Sequence, residues 1–107
     1  MYKSVSVSFT IFSSIAVCDD QLEVCAEIEK ILQQISQNFL EHLEIEVFYS
    51  GEDLCQPLKE NIYFDIIYLD IELKLMTGID VGKRIREVFL NESTLLTYIS
   101  GKESYAM

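Results

Sequence analysis

Apolar and polar residues recur with two different periods along the chain, and the changes of period divide it into strands and helices. Residues 4–11 alternate with a period of two, the spacing of a half-buried strand. Over residues 22–40 the period rises to three and four, which predicts one amphipathic helix. Its apolar positions are Cys25, Ile28, Leu32, Ile35 and Phe39. Alternation returns over residues 44–49 and predicts a further strand, with His42 in a solvated loop just ahead of it.

The second half of the chain repeats this exchange of strands and helices. Short apolar runs at residues 15–18 and 66–69 predict fully buried strands, and residues 95–99 predict another. Ser50 caps a helix that Pro57 keeps short or kinked, because proline lacks the amide hydrogen of a helical residue. A third helix is marked by Ile79, Gly82, Ile85, Val88 and Phe89. This alternation predicts an α/β fold with an open parallel sheet covered on both faces.

Polar residues stand where three of the predicted buried strands end. They are Asp19 and Asp20 after the first, Asp70 after the second and Ser100 after the last. In an open parallel sheet, ligands bind beyond the carboxyl ends of the strands, so these residues are expected at one rim. A single aspartate at a strand end is usually a helix cap or a turn residue. The combination at three strand ends favours a site.

The carboxylates expected at this rim limit the ligands and reactions that the site could support. Packed carboxylates repel one another, and either protonation or a bound cation relieves the repulsion. Mg²⁺ is the natural candidate, because it takes oxygen ligands and keeps positions open for water or phosphate. Such a site suits phosphoryl transfer, with Asp70 as the nucleophile that forms an acyl phosphate.

Composition and charge exclude several other classes of protein. The chain has 107 residues, half of them hydrophobic, which fits one domain with a packed core. Eighteen acidic residues against eight basic ones give a formal charge of −10, so the segment itself is not expected to bind nucleic acid.

The cysteines and the N-terminal stretch point to the cytoplasm. Cys18, Cys25 and Cys55 lack the spacing of a metal or redox motif and are expected to be reduced and mostly buried. Serines interrupt the apolar stretch near the N-terminus, and bulky Val17 precedes Cys18, so no export signal is predicted. No run approaches the ~18 apolar residues that a membrane span requires, and no membrane contact is expected.

Three motifs follow one another between residues 14 and 107. IAVCDD contains the acidic pair, YLDIELKLMTGID places Gly78 eight residues after Asp70, and Ser100 follows Asp70 by thirty residues. In this order and at these spacings, the segment resembles the receiver domains of bacterial two-component response regulators. The DIE sequence and the ending SGKESYAM resemble those receivers that precede LytTR-type DNA-binding domains.

This resemblance implies a flavodoxin-like (CheY-like) doubly wound sheet and a role for each candidate residue. Asp70 accepts a phosphoryl group from a sensor histidine kinase, and the hydroxyl of Ser100 turns toward the phosphoryl oxygens as a switch. Asp20 ligates Mg²⁺ directly, Asp19 acts mainly through water, and the backbone carbonyl of Glu72 completes the protein ligands. The domain is then no conventional enzyme, since it catalyses only its own phosphorylation, and it regulates transcription in its full-length parent.

The chain also differs from this family in several respects. Residues 1–13 have no counterpart and are assigned to an N-terminal extension that includes the predicted extra strand, while residues 14–107 are assigned to a partial receiver domain. The family's fifth strand, its lysine and its last helix have no match before Met107, so weak binding of phosphoryl analogues is expected. Leu73 and Lys74 replace the commoner methionine and proline.

The sequence leaves two alternative functions open, and it also predicts one mode of self-association. The rival function is an interaction or dimerisation module that works without phosphorylation and keeps a vestigial acidic site. An aspartate-based phosphohydrolase is weaker, because Glu72 is followed by Leu73 instead of the threonine or valine that those enzymes need. Residues 4–11 are predicted to pair with an exposed sheet edge, in their own chain or, as the short connection through Phe12 and Ser13 favours, in a neighbouring chain, which implies self-association. The alternative is a frayed tail.

Overall fold

The computed structural model describes residues 12–39, 42–89 and 91–99. Four strands alternate with three helices in this part of the chain. They are β1 (Phe12–Cys18), α1 (Leu22–Phe39), β2 (His42–Phe48), α2 (Gly51–Lys59), β3 (Ile66–Asp70), α3 (Gly78–Glu87) and β4 (Leu95–Ile99). The strand predicted at residues 4–11 and the candidate residue Ser100 lie outside the described residues.

The four strands form one parallel sheet in the order β2-β1-β3-β4. The chain moves outward from β1 to β2, returns past β1 to β3, and continues to β4. This reversal of winding is that of the flavodoxin-like doubly wound fold, and it confirms the predicted fold class. The reversal lies between β1 and β3, so the carboxyl ends of those two strands form the crevice where such folds bind ligands.

Alternate side chains of the strands enter two cores on opposite faces of the sheet. In β3, Ile67 and Leu69 pack with buried residues of α2 and α3, while Ile66 and Tyr68 pack toward the other face. That second face is covered by α1 through Cys25 and Leu32. Burial on both sides explains why β3 reads as a continuous apolar run in the sequence.

The first two strands begin earlier than their apolar patterns predicted. β1 starts at Phe12, three residues before the predicted run, and β2 starts at His42, two residues before its predicted start. His42 was placed in a loop, but it pairs with Phe12 at the first rung of the parallel ladder. In β1 the main-chain pairing continues through Ser13 and Ser14, whose side chains carry no strand pattern. In β2 the alternation of exposed and half-buried side chains already begins at His42, so the predicted start at residue 44 was too late.

The predicted buried face of α3 is confirmed at Gly82 and Ile85 and wrong at Ile79 and Val88. Ile79 is 42% exposed, and Val88 is 59% exposed and lies beyond the last helical residue. The buried residues of this helix are Gly78, Val81, Gly82 and Ile85. Gly78 carries no apolar signal, so the hydrophobic pattern began at the neighbouring Ile79 instead.

The helix α2 is short, as Pro57 predicted. It has nine residues, and Ser50 caps its N-terminus by accepting a hydrogen bond from the Asp53 amide at 3.1 Å. At its C-terminus Asn61 adopts a left-handed conformation with φ of 64°, and its amide donates to the Leu58 carbonyl at 3.2 Å. None of the three described helices has the length and apolar character needed to span a bilayer.

A small group of hydrogen bonds fastens the amino edge of the sheet, opposite the crevice. The buried Thr94 hydroxyl donates to the Phe64 carbonyl at 2.6 Å and accepts from the Asn91 amide group at 2.7 Å. Nearby, the Asp65 carboxylate accepts from the Ser14 amide at 2.8 Å, which joins β1 to the start of β3. These bonds fix the amino ends of the strands whose carboxyl ends form the candidate site.

Candidate functional site

Three carboxylates meet at the carboxyl edge of the sheet. Asp19, Asp20 and Asp70 each offer a carboxylate oxygen, and these oxygens all lie within 4.8 Å of one another. The first two belong to the turn that follows β1, and Asp70 is the last residue of β3. The two strands are hydrogen-bonded neighbours, so the parallel sheet brings together residues that are fifty positions apart in sequence.

The turn after β1 holds Asp19 in a fixed orientation. Its amide donates to the Phe48 carbonyl at 3.0 Å, and its carboxylate accepts from the Gln21 amide at 2.8 Å. The Cys25 thiol donates to the Asp19 carbonyl at 3.3 Å from the first turn of α1. Asp19 is therefore buried with its backbone and side chain both bonded, while the adjacent Asp20 is partly exposed at the mouth of the crevice.

Asp70 is held by the loop that follows it. Its carboxylate accepts a hydrogen bond from the Glu72 amide at 3.1 Å. The next peptide is bound to the edge strand, because the Ile71 amide donates to the Ile99 carbonyl at 3.0 Å. The buried side chain of Asp70 thus projects from a backbone that β4 and its own loop constrain.

The surroundings of the two buried carboxylates favour their protonated forms. Burial raises the pKa of Asp19 and of Asp70 above their ordinary value of 3.8, because removal from water penalises the charged form. The charges of neighbouring carboxylates raise both pKa values further. The hydrogen bonds from the Gln21 and Glu72 amides act in the opposite direction but do not cancel the effect of burial.

Such a cluster can hold a small, hard cation. The donor atoms that converge are carboxylate oxygens, which Mg²⁺ prefers over nitrogen or sulfur ligands. A divalent cation would offset the mutual repulsion of Asp19, Asp20 and Asp70 and so compensate the cost of their burial. The residues at this edge therefore fit the group that the sequence predicted.

The other two candidate residues are less defined by the structure. Glu72 is partly exposed and lies beside Asp70, to which its amide donates. Ser100 lies outside the described residues, so its distance from the carboxylates stays a prediction. The three carboxylates are thus the part of the predicted site that the structure brings together.

The structure adds contacts around the site that the sequence pattern could not show. Gly78, in the first turn of α3, lies against the backbone of Asp70. An open, mainly apolar groove of about 330 Å³ adjoins Asp20, with Tyr49, Leu73 and Lys74 among its lining residues. The spacing of Gly78 from Asp70 was visible in the sequence, but its contact depends on how closely α3 approaches β3.

The three cysteines are free and buried, as the sequence predicted. Burial raises the pKa of the Cys18 thiol to about 12 and that of Cys25 to about 11. Burial also raises the pKa of Cys55. These thiols stay protonated near neutral pH, and Cys18 uses its proton in a hydrogen bond to the Ser50 carbonyl at 3.3 Å.

A family model identifies the class of protein that this fold and site define. The model of the response regulator receiver domain matches residues 15–107, which is most of the chain. The chain therefore belongs to the response regulator receiver domain family. A comparison with curated proteins found no match.

Solved structures with the same fold include several receiver proteins. TrrA from Thermotoga maritima, solved in complex with Mg²⁺-BeF, has a TM-score of 0.71 and 22% sequence identity to this chain. The match covers 87% of this chain and 73% of the TrrA chain. CheY4 from Vibrio cholerae has a TM-score of 0.71 at 19% identity, covering 89% and 73%. The longer response regulator DrrB from Thermotoga maritima has a TM-score of 0.65 at 24% identity, covering 84% of this chain but 36% of its own.

Proposed function

We propose that this chain accepts a phosphoryl group on Asp70 from a sensor histidine kinase, in a reaction that depends on Mg²⁺. The observation that carries the proposal is the cluster of three carboxylates at the carboxyl edge of a receiver-family sheet. In the proposed reaction a carboxylate oxygen of Asp70 attacks the phosphorus of a phosphohistidine. The N–P bond breaks, the imidazole takes its electron pair, and an aspartyl phosphate forms.

Asp19 and Asp20 are proposed to hold Mg²⁺ together with Asp70 and the backbone carbonyl of Glu72. When bound, Mg²⁺ neutralises charge on the phosphoryl oxygens and on the crowded carboxylates. The neighbour TrrA, solved in complex with Mg²⁺-BeF, supports this assignment by analogy of fold. Burial of Asp70 supports it chemically, because a desolvated carboxylate gains most from a nearby cation.

The output of the domain is proposed on the sequence resemblance. Ser100 turns its hydroxyl toward the phosphoryl group and biases a two-state equilibrium of the domain. The regulated output is transcription through a LytTR-type DNA-binding domain of the full-length protein, since DIE and SGKESYAM resemble receivers of that type. In this role the domain is a phosphoacceptor and acts on no other substrate. The buried, protonated thiols fit the expected cytoplasmic location.

The proposal is tested with Mg²⁺ and two small phosphoryl reagents. We expect calorimetry to detect Mg²⁺-dependent binding of beryllofluoride, and mass spectrometry to detect one added phosphoryl group after treatment with acetyl phosphate and Mg²⁺. Asp70→Asn is expected to remove both signals, because the amide cannot attack phosphorus and carries no charge for the cation. Asp20→Ala is expected to weaken Mg²⁺ binding.

The matched control is Asp80→Asn, which makes the same chemical change at an exposed residue in the first turn of α3. It should keep both signals. If the intact chain binds neither Mg²⁺ with beryllofluoride nor a phosphoryl group, the interaction module that works without phosphorylation becomes the better account. Equal phosphorylation of Asp70→Asn and of the intact chain would also contradict the proposal.

A further inference from the structure

The first turn of α3 touches the backbone that carries Asp70. The Gly78 amide donates to the Ile71 carbonyl at 3.0 Å. A methyl group added at Gly78 would overlap the Asp70 carbonyl oxygen and lie 2.8 Å from the Asp70 carbonyl carbon and 3.0 Å from the Ile71 Cα. These atoms belong to the main chain, so no side-chain rotation can make room for the methyl group.

Space, and not backbone conformation, is what requires glycine at this position. Among the described residues, no glycine adopts a positive φ, so an alanine at residue 78 would fit the local backbone angles. The missing Cβ therefore serves the close approach of α3 to the end of β3. A larger residue would have to push the helix and the Asp70–Ile71 peptide apart.

The Asp70–Ile71 peptide is the part of the main chain next to the Asp70 side chain, so its position sets where the carboxylate lies. It is bound on one side by Ile99 through the Ile71 amide at 3.0 Å. Beyond it, the Glu72 amide donates to the Asp70 carboxylate at 3.1 Å. A larger residue at position 78 would displace this peptide and so alter both the backbone and the hydrogen bond that orient the carboxylate toward Asp19 and Asp20.

We infer that Gly78 is a positioning residue for the phosphoacceptor. By lacking a side chain, it lets α3 lie directly against the Asp70–Ile71 peptide and so sets the place of the Asp70 carboxylate relative to the other two. This inference rests on the proposed function, since its effect is read in metal binding and phosphoryl transfer. Reactions of this kind lose about 100-fold in rate when a reacting group moves by about 1 Å.

The test compares Gly78→Ala with Gly82→Ala, a matched substitution in the same helix. A methyl group at Gly82 would overlap the Tyr98 hydroxyl, which ends a flexible side chain that is 41% exposed and can move aside. We expect Gly78→Ala to lower the rate of phosphorylation by acetyl phosphate at saturating Mg²⁺ by roughly 10- to 100-fold. Gly82→Ala should stay within about twofold of the intact chain, because it leaves the Asp70 peptide in place.

A second pair of substitutions decides the case if Gly78→Ala does not fold. Thr77 caps α3 by accepting from the Asp80 amide at 3.1 Å, and Ser50 caps α2 with the same bond length to Asp53. Thr77→Ala loosens the turn that holds Gly78, whereas Ser50→Ala loosens α2. We expect Thr77→Ala to slow phosphorylation several-fold more than Ser50→Ala when circular dichroism shows both folded.

The outcomes separate this inference from the proposed function. If the intact chain takes no phosphoryl group, the proposed function itself fails. If the intact chain is phosphorylated and Gly78→Ala reacts as fast as Gly82→Ala, only the role of Gly78 is overturned. Equal rates in Thr77→Ala and Ser50→Ala overturn it in the same way when Gly78→Ala does not fold.

Discussion

At the scale of single residues, the candidate site is defined by the burial of acidic groups that water would otherwise stabilise. Asp19 and Asp70 are buried at the carboxyl edge of a sheet whose neighbouring strands are apolar. Each gains one amide hydrogen bond, but burial still raises the pKa of both. Without a cation, folding must therefore place charge where it is poorly solvated, and this cost depends on pH.

The raised pKa values predict how the stability of the metal-free protein varies with pH. The folded state keeps protons on Asp19 and Asp70 at pH values where the unfolded chain has already lost them. The free energy of unfolding should therefore fall as pH rises from about 3.8, the ordinary value, through the higher pKa values of the folded state. Chemical denaturation in the presence of a chelator, repeated across this range, measures the slope.

Asp70→Asn separates this effect from the titration of other acids. The amide stays neutral, so we expect the variant to lose part of the fall in stability and to be more stable than the intact chain at neutral pH without Mg²⁺. Adding Mg²⁺ should stabilise the intact chain more than the variant. Glu27→Gln, an exposed change in α1, should leave the slope unaltered. An equal slope in Asp70→Asn and the intact chain would show that burial of Asp70 has no such effect.

At the scale of the elements, the sequence predicted the features that follow from the period of its apolar residues. It missed features that depend on how closely a helix approaches a neighbouring strand. The order of strands and helices, the bounds of β4 and the end of β3 at Asp70 follow from apolar runs and their polar ends. The placement of three carboxylates at one rim then follows from the parallel sheet. The buried face of α3 was predicted only in part: Gly82 and Ile85 are buried as predicted, but Gly78 is buried because of its small size, which gives no hydrophobic signal.

The early start of β1 was missed for a different reason. Ser13 and Ser14 carry no strand pattern, yet they continue the ladder with Leu43 and Glu44. Hydrogen bonds between main chains do not depend on side-chain polarity, so a pattern of side chains underestimates a strand at its ends. The structure therefore lengthens the strands at their amino ends, opposite the site, and leaves the predicted positions of the acidic residues unchanged.

The connection from α3 to β4 offers a prediction at this scale. Thr94→Val keeps the shape of the side chain but removes the hydroxyl that donates to Phe64 and accepts from Asn91. Because Phe64 then loses a buried hydrogen bond and Asn91 a partly buried one, we expect the free energy of unfolding to fall by about 1–3 kcal/mol in chemical denaturation. Mg²⁺ affinity should not change, since Thr94 precedes β4 and lies at the edge opposite the carboxylates.

The same change at Thr97, which is only partly buried in β4, is the control for this prediction. Thr97→Val should cost less, because valine suits a strand and less of the side chain is removed from water. Equal losses at the two positions would mean that the Thr94 hydroxyl contributes nothing beyond its burial. A loss of Mg²⁺ binding in Thr94→Val would mean that the amino ends of the strands are coupled to the site at their carboxyl ends.

At the scale of the whole molecule, the two edges of the described sheet differ in charge. β2 forms one edge and presents the exposed residues Glu44 and Glu46. β4 forms the other edge with the sequence LLTYI, which contains no charged residue. Charged side chains on an edge strand discourage pairing with another chain, and an apolar edge without them invites it. Of the two edges formed by the described residues, β4 is thus the one better suited to pairing with another strand.

This difference makes the predicted self-association testable. The sequence predicts that residues 4–11 pair with an exposed sheet edge, in a neighbouring chain rather than in their own, and in the described sheet the candidate edge is β4. Leu95 is 59% exposed on this strand, so Leu95→Lys should place a charge at the edge without disturbing a buried core. We expect the intact chain to sediment as a dimer or larger assembly, and Leu95→Lys to shift it toward the monomer.

Removal of residues 1–11 should have the same effect as Leu95→Lys, because it takes away the partner strand and leaves β1 intact from Phe12. Leu22→Lys is the matched control, since that leucine is 62% exposed at the start of α1, away from the edge strand. It should sediment like the intact chain. A monomer in every case would show that the chain does not associate. Assembly that survives both Leu95→Lys and the deletion would place the interface elsewhere and leave the β4 edge without a partner from this chain.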